Sequence, residues 1–231
     1  MIGGLKRRRA RHRLQKQGAD PRLIDYLSLN FAPDKKKTIH STRFVVIDTE
    51  TTGLDPSQDR LLSLAAVGVC GGAINLQDRL EVTFSGRSVG GVSAAPIHGL
   101  VTRDLDGGCA ESEGLHKLLT YLGADVLVAH HAAFDVAVLS AALSRMRSPT
   151  LANSVVDTGH LARRLEKGAV MGDANLQRPQ SLDALAARFG FDIMHRHSAS
   201  GDALVTAQVL MALLHLAERR GIKLLGELLA R

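Results

Sequence analysis

Short apolar runs early in the 231-residue chain give way to helical spacing later. Phe44-Val45-Val46-Ile47 is uninterrupted and rich in β-branched and aromatic residues, which predicts a strand buried on both faces. It runs into Asp48-Thr49-Glu50-Thr51-Thr52-Gly53, where the glycine suits the turn that closes it. Residues 61–69 predict a second strand, and Gly71-Gly72 a hairpin into a third over 74–84. In that third run Ile74, Leu76, Leu80, Val82 and Phe84 alternate with polar residues, as in an antiparallel strand with one wet face.

Helical spacing follows over 111–122, and 125–129 is a short apolar strand. In the helix expected after His130-His131, Val136, Leu139, Leu143 and Met146 fall on one face. Residues 153–157 predict a further strand and 158–167 a helix. Ser181 is a good N-cap for a helix that stops at Gly190, and the last long helix covers about 200–220. Upstream, Asp20-Pro21 starts a short helix expected to dock on the body, while 1–17 reads as polar and mobile and 33–37 as a linker. Residues 85–108 and 168–180 read as irregular connections. A three-strand meander followed by alternating helix and strand predicts an α/β fold, with helices on both faces of a mixed sheet. The expected organisation is a basic arm over 1–41 and one domain over 42–231.

Charge sharpens the division between arm and body. Residues 1–40 hold eleven Lys/Arg against three acids, a net of +8, and the remainder holds eighteen against twenty, a net of −2. A basic arm on a near-neutral body suits contact with nucleic-acid phosphates, and equally a solubilising tail. Cys70 and Cys109 lack ligand-like spacing and suit reduced thiols. No apolar run approaches the roughly 20 residues of a membrane span, and no apolar segment follows the N-terminal cations as in a secretory signal. A cytoplasmic location with no membrane partner is the expectation.

Asp48 and Glu50 stand two apart on one strand, so both project from the same face. Buried together, they repel and lose hydration, and a divalent cation between them relieves both costs. Alone, the pair reads as readily as an acidic turn. Two more acids change the balance: Asp135, between Phe134 and Val136 at the start of a helix, and Asp202, at the start of the last helix.

These acids stand in blocks that carry a resemblance. Asp48-Thr49-Glu50-Thr51-Thr52-Gly53 resembles the first motif of the DnaQ-like DEDD 3′–5′ exonucleases, and Val128-Ala129-His130-His131-Ala132-Ala133-Phe134-Asp135 the second. His197-Ser198-Ala199-Ser200-Gly201-Asp202 resembles the third; a histidine at 197, where a sister subgroup has tyrosine, implies the histidine branch. Ile97-His98-Gly99-Leu100, Val156-Asp157-Thr158 and Ser181-Leu182-Asp183-Ala184-Leu185 match further recurring blocks. The likeness is greatest to proofreading exonucleases of replicative polymerases.

The resemblance implies a ribonuclease H-like fold and two Mg²⁺ or Mn²⁺ ions held by Asp48, Glu50, Asp135 and Asp202, with His197 as general base. All-oxygen ligation suits such hard cations, and an imidazole titrates near neutral pH. By analogy Thr51, Gly53 and Leu54 meet the terminal nucleotide, His98 and His131 border it, and Phe134 stacks or packs in the core. His131 departs from the asparagine usual there, which should alter one hydrogen bond to substrate. His130-His131 is not expected to bind metal, since neighbours entering a helix diverge. The implied substrate is the 3′ end of single-stranded or frayed DNA. RNA trimming and non-catalytic nucleic-acid binding are the alternatives, and a polymerase is a conceivable partner. With about ten residues after the last helix and no evident clamp-binding segment, a free-standing enzyme is expected.

Overall fold

A computed structural model describes residues 4–85, 107–166, 180–193 and 196–230. Five strands form one sheet in the order β3-β2-β1-β4-β5. They are β1 Phe44–Thr51, β2 Leu61–Cys70, β3 Ala73–Thr83, β4 Val126–Ala129 and β5 Val155–Asp157. The first three pair antiparallel, and β4 and β5 continue the sheet in parallel beyond β1. Gly71 and Gly72 both take positive φ, the left-handed geometry that a tight hairpin between twisted strands needs.

Strand β1 shows why the sheet sits between two cores. Its side chains alternate, so Val45 and Ile47 face one way and Phe44 and Val46 the other, all four nearly inaccessible. Val45 and Ile47 join a cluster with Leu23 and Leu27 of α2 (Pro21–Ser28), Leu115 and Leu119 of α3 (Glu111–Leu122) and Leu139 of α4 (Ala132–Arg145). Phe44 and Val46 join Leu161 of α5 (Thr158–Glu166), Leu185 of α6 (Leu182–Phe189) and Val209 of α7 (Ala199–Arg219). The expected ribonuclease H-like arrangement is present, with helices on both faces.

Helix α7 corrects one expectation. It is long and apolar enough to cross a membrane, although no such run is evident when residues are counted in sequence. Its apolar residues are spent on the sheet, where Val205, Ala207, Val209, Leu210 and Leu213 are buried in contact with β1, β2, α5 and α6. The N-terminus corrects another. Residues 4–16 form a helix, α1 (Gly4–Lys16), whose Leu14 is buried in the first cluster. Arg7 lies over the Phe31 ring and donates to the Leu29 carbonyl at 3.3 Å, so the repulsion among the arginines does not unravel it.

The 33–37 segment is more than a linker. Lys37 and Lys35 accept from the backbone of Leu225 and Gly226, and Ile39 donates to Lys223. These bonds tie it to a short helix that the pattern did not suggest, α8 (Leu225–Leu228). The third strand is less regular than alternation implies. The ladder jumps from Val67–Arg79 to Gly68–Asn75, leaving 76–78 out of register and Leu76 55% exposed.

Candidate active site

The site forms where β1 and β4 end side by side, the position at which open α/β sheets bind ligands. Alternation beyond Ile47 continues onto the polar residues. Asp48 and Glu50 follow Phe44 and Val46 toward α7, while Thr49 follows Val45 and Ile47 toward α4. A bulge between Glu50 and Thr51 then shifts the register against β2 and ends the regular ladder beside the acids.

Asp202 completes the group from α7. Ser198 caps that helix by accepting from Gly201 at 3.2 Å, and Asp202 sits in its first turn. Asp48, Glu50 and Asp202 each present a carboxylate oxygen, all within 4.8 Å of one another. Glu50 and Asp202 are buried, and among the described residues Asp202 Oδ1 is enclosed with no partner. Desolvation, with the charges of Asp135, Asp202 and Glu50 added, holds the Asp48 carboxyl well above the usual range. Desolvation and Asp202 likewise push Glu50 up to about 7. Three crowded carboxylates stripped of much of their water are what a hard divalent cation would satisfy, and this donor set fits one.

Asp135 is close but differently engaged. Buried on α4, it accepts from Thr49 Oγ1 at 2.7 Å and stands outside the three-acid group. Burial pushes it up to about 7 against the pull of the Thr49 hydrogen bond. Thr49 is thus a site residue that motif reading overlooks. The signal lies in alternation: between two acids aimed at α7, its side chain has to face α4.

Arg196 is the other omission. Its guanidinium reaches Asp202 Oδ2 of α7 while its Nε donates to Asp183 Oδ1 of α6 at 2.5 Å. Its charge opposes the upward shifts of Asp48 and Glu50. Nothing in the sequence marks this contact, because it depends on two helices meeting. His197 follows, exposed at the mouth beside Glu50 in a left-handed conformation with φ 60°.

Substrate-side residues divide. Leu54 is 88% exposed beside the strand end, available to an incoming nucleotide. Thr51 is buried and its hydroxyl donates to the Gly53 carbonyl at 2.6 Å, shaping the turn. A Cβ on Gly53 would lie 2.6 Å from the Asp59 carboxylate, so a side chain here would push that carboxylate aside. Asp59 in turn accepts from Thr52 Oγ1 and Asp55 N, both at 2.7 Å. Phe134 is half-buried and packs against the first cluster. His98 lies outside the described residues.

His131 has φ 58° and ψ 44° where the chain enters α4. Asparagine and histidine both tolerate this left-handed geometry better than most residues, so the departure at 131 preserves the backbone. The two histidines do not diverge as expected: their rings meet edge to face, 4.3 Å between centroids. His130 Nδ1 pairs with Thr158 Oγ1 at 2.9 Å, and burial drives its pKa down to about 4, leaving it neutral. Asp157 accepts from the backbone of Ala132 and His160, which ties together the starts of α4 and α5.

Sheet order and acid placement are those of an exonuclease domain of ribonuclease H-like fold. The chain belongs to the exonuclease family: the RNase_T model, described as Exonuclease, matches residues 45–210. A PolC-type DNA polymerase III of Thermotoga maritima is 30% identical over 191 residues, 83% of this chain but 13% of that protein. A DNA polymerase III subunit epsilon-like protein of Rhodobacter capsulatus is 33% identical over 190 residues, 80% of this chain and 26% of that one. This chain therefore spans a minor part of either. E. coli Exonuclease I in complex with a dT13 oligonucleotide superposes with a TM-score of 0.65 at 17% identity, covering 78% of this chain and 43% of that one. Exonuclease X in complex with 5′ overhanging duplex DNA gives 0.57 at 24%, covering 76% and 93%.

Proposed function

We propose that this chain hydrolyses DNA one nucleotide at a time from a single-stranded or frayed 3′ end, releasing nucleoside monophosphates. The observation that carries the reading is the trio Asp48, Glu50 and Asp202, within 4.8 Å, with His197 exposed at its edge. Asp48, Glu50 and Asp202 would hold two Mg²⁺ or Mn²⁺ ions, with Asp135 close by. When bound, such ions acidify water and stabilise charge on the leaving 3′ oxygen.

The remaining work falls to the chain. His197, exposed at the surface, would take a water's proton at an imidazole nitrogen. Thr49 fixes Asp135, and strand alternation sets Glu50 on the same face as Asp48. Leu54 offers an exposed apolar edge for the terminal base. The polymerase III relatives favour DNA as substrate and a polymerase as partner, within the exonuclease part of such an assembly alone. Non-catalytic binding is disfavoured because all four acids and His197 are retained. The test is degradation of matched DNA and RNA strands with Mg²⁺, Mn²⁺ or EDTA. DNA should be consumed with either metal and spared in EDTA; faster loss of RNA, or loss in EDTA, contradicts the proposal.

A further inference from the structure

We infer that the hairpin of α1 and α2 forms a second contact for the nucleic-acid backbone, with a cleft between the two helices taking a phosphate. This rests on the nuclease reading above, but its evidence is separate. Helix α1 carries seven Lys/Arg in 13 residues and no acid. Among the described residues, none of the seven forms an ion pair with a carboxylate. Arg7 and Arg11, like Arg9 and Arg13, stand one turn apart with like charge, and the cations of the first turn oppose the helix dipole. Such a sequence is a poor helix in isolation, yet it is anchored by buried Leu14 and by Arg7 over Phe31 at 4.7 Å. The fold therefore holds positive charge on a fixed frame that no carboxylate of the described residues pairs with.

The cleft has the chemistry of an anion site. It encloses about 410 Å³ and is lined by Arg7, Arg8 and Arg11 on one side and Leu27 to Asn30 on the other. Among the described residues, Arg11 Nε is buried without a partner, on a side chain that lines the cleft. Guanidinium groups match phosphate oxygens in geometry and charge, and their desolvation is relieved when a phosphodiester arrives. The hairpin packs on the α3–α4 side of the sheet, whereas Asp48 and Glu50 face α7. A strand touching both would have to extend beyond the nucleotides at the acids, so the contact should favour long substrates.

The test is fluorescence anisotropy with the full chain in EDTA, using a short oligothymidylate and one several times longer, across a salt series. Arg8→Gln/Arg11→Gln is the variant, since Arg7 also holds the hairpin together. Two lost contacts on a single strand should flatten the salt slope by about 1.4, weakening the long strand roughly 25-fold at 0.1 M salt and sparing the short one. Unchanged slope and affinity, or equal weakening of both strands, overturns the inference. So does erasure of the difference by millimolar inorganic phosphate, which would make the cleft a free-phosphate site. Hydrolysis of a p-nitrophenyl nucleotide ester and thermal melting should match the parent; a melting change is resolved with Arg8→Lys/Arg11→Lys, which must restore binding. A parent that binds DNA in this way but never cleaves it would sink the nuclease reading and leave the contact standing.

Discussion

Thr49, Asp135, Arg196 and the three clustered acids define the site more narrowly than the motifs do. Thr49→Val removes the hydroxyl donated to Asp135, so activity should fall about 10- to 100-fold, the usual cost of losing an outer support of a metal site, while far-UV circular dichroism is retained. A loss below twofold would reduce Thr49 to packing. Arg196 occupies Asp202 Oδ2 and so competes with any cation there. Arg196→Gln should tighten Mn²⁺ binding, measured by calorimetry, and lower the melting temperature without metal; weaker binding would refute the competition.

The pH dependence follows from Glu50. Its folded value of about 7 exceeds the ordinary 4.5, so between those values the folded chain holds the extra proton. This contribution is fully present below about pH 4.5 and is lost as pH rises through about 7. Glu50→Gln should therefore raise metal-free melting at pH 8 relative to pH 5, and Mg²⁺ should stabilise the parent more at pH 8. A Glu50→Gln difference that is the same at both pH values would contradict this. The four acids and His197 were legible as types and spacings. Arg196 was not, since its partners belong to α6 and α7 and only packing brings them together.

Element by element, legibility tracked how strongly local pattern and burial agreed. β1 is apolar on both faces because both are covered, and α3 and α6 begin and end near where their periodicity predicts. Ser181 accepts from Ala184 N at 3.2 Å, as its capping role requires. Ser181→Ala should cost about 1 kcal/mol in denaturant unfolding, and no change would deny the cap. α1 is not evident from sequence because charge repulsion is visible there while Leu14 burial and the Arg7–Phe31 contact are tertiary. β3 was idealised because alternation does not reveal a ladder that skips 76–78. α7 escaped notice as a potential span because its few polar positions interrupt any simple apolar count.

Across the whole molecule, residues far apart in the chain meet because parallel β4 is laid beside β1 and α7 returns over the same sheet. Asp48 and Asp202 are distant in sequence, yet their oxygens share one small space. The segments around Lys35 and Gly226 are bonded to each other, so α8 and the strand-leading segment brace the end of the sheet remote from the acids. The proposed function has this converging trio act as the metal site of a nuclease working at a 3′ end. The most direct measurement follows a 5′-labelled single strand in Mg²⁺ with the parent and with Asp48→Ala. The parent should yield a descending ladder shortened from the 3′ end, and the variant, without several kcal/mol of transition-state stabilisation, should be at least about a thousandfold slower. Undiminished cleavage by Asp48→Ala, or release of the labelled 5′ nucleotide first, would contradict it.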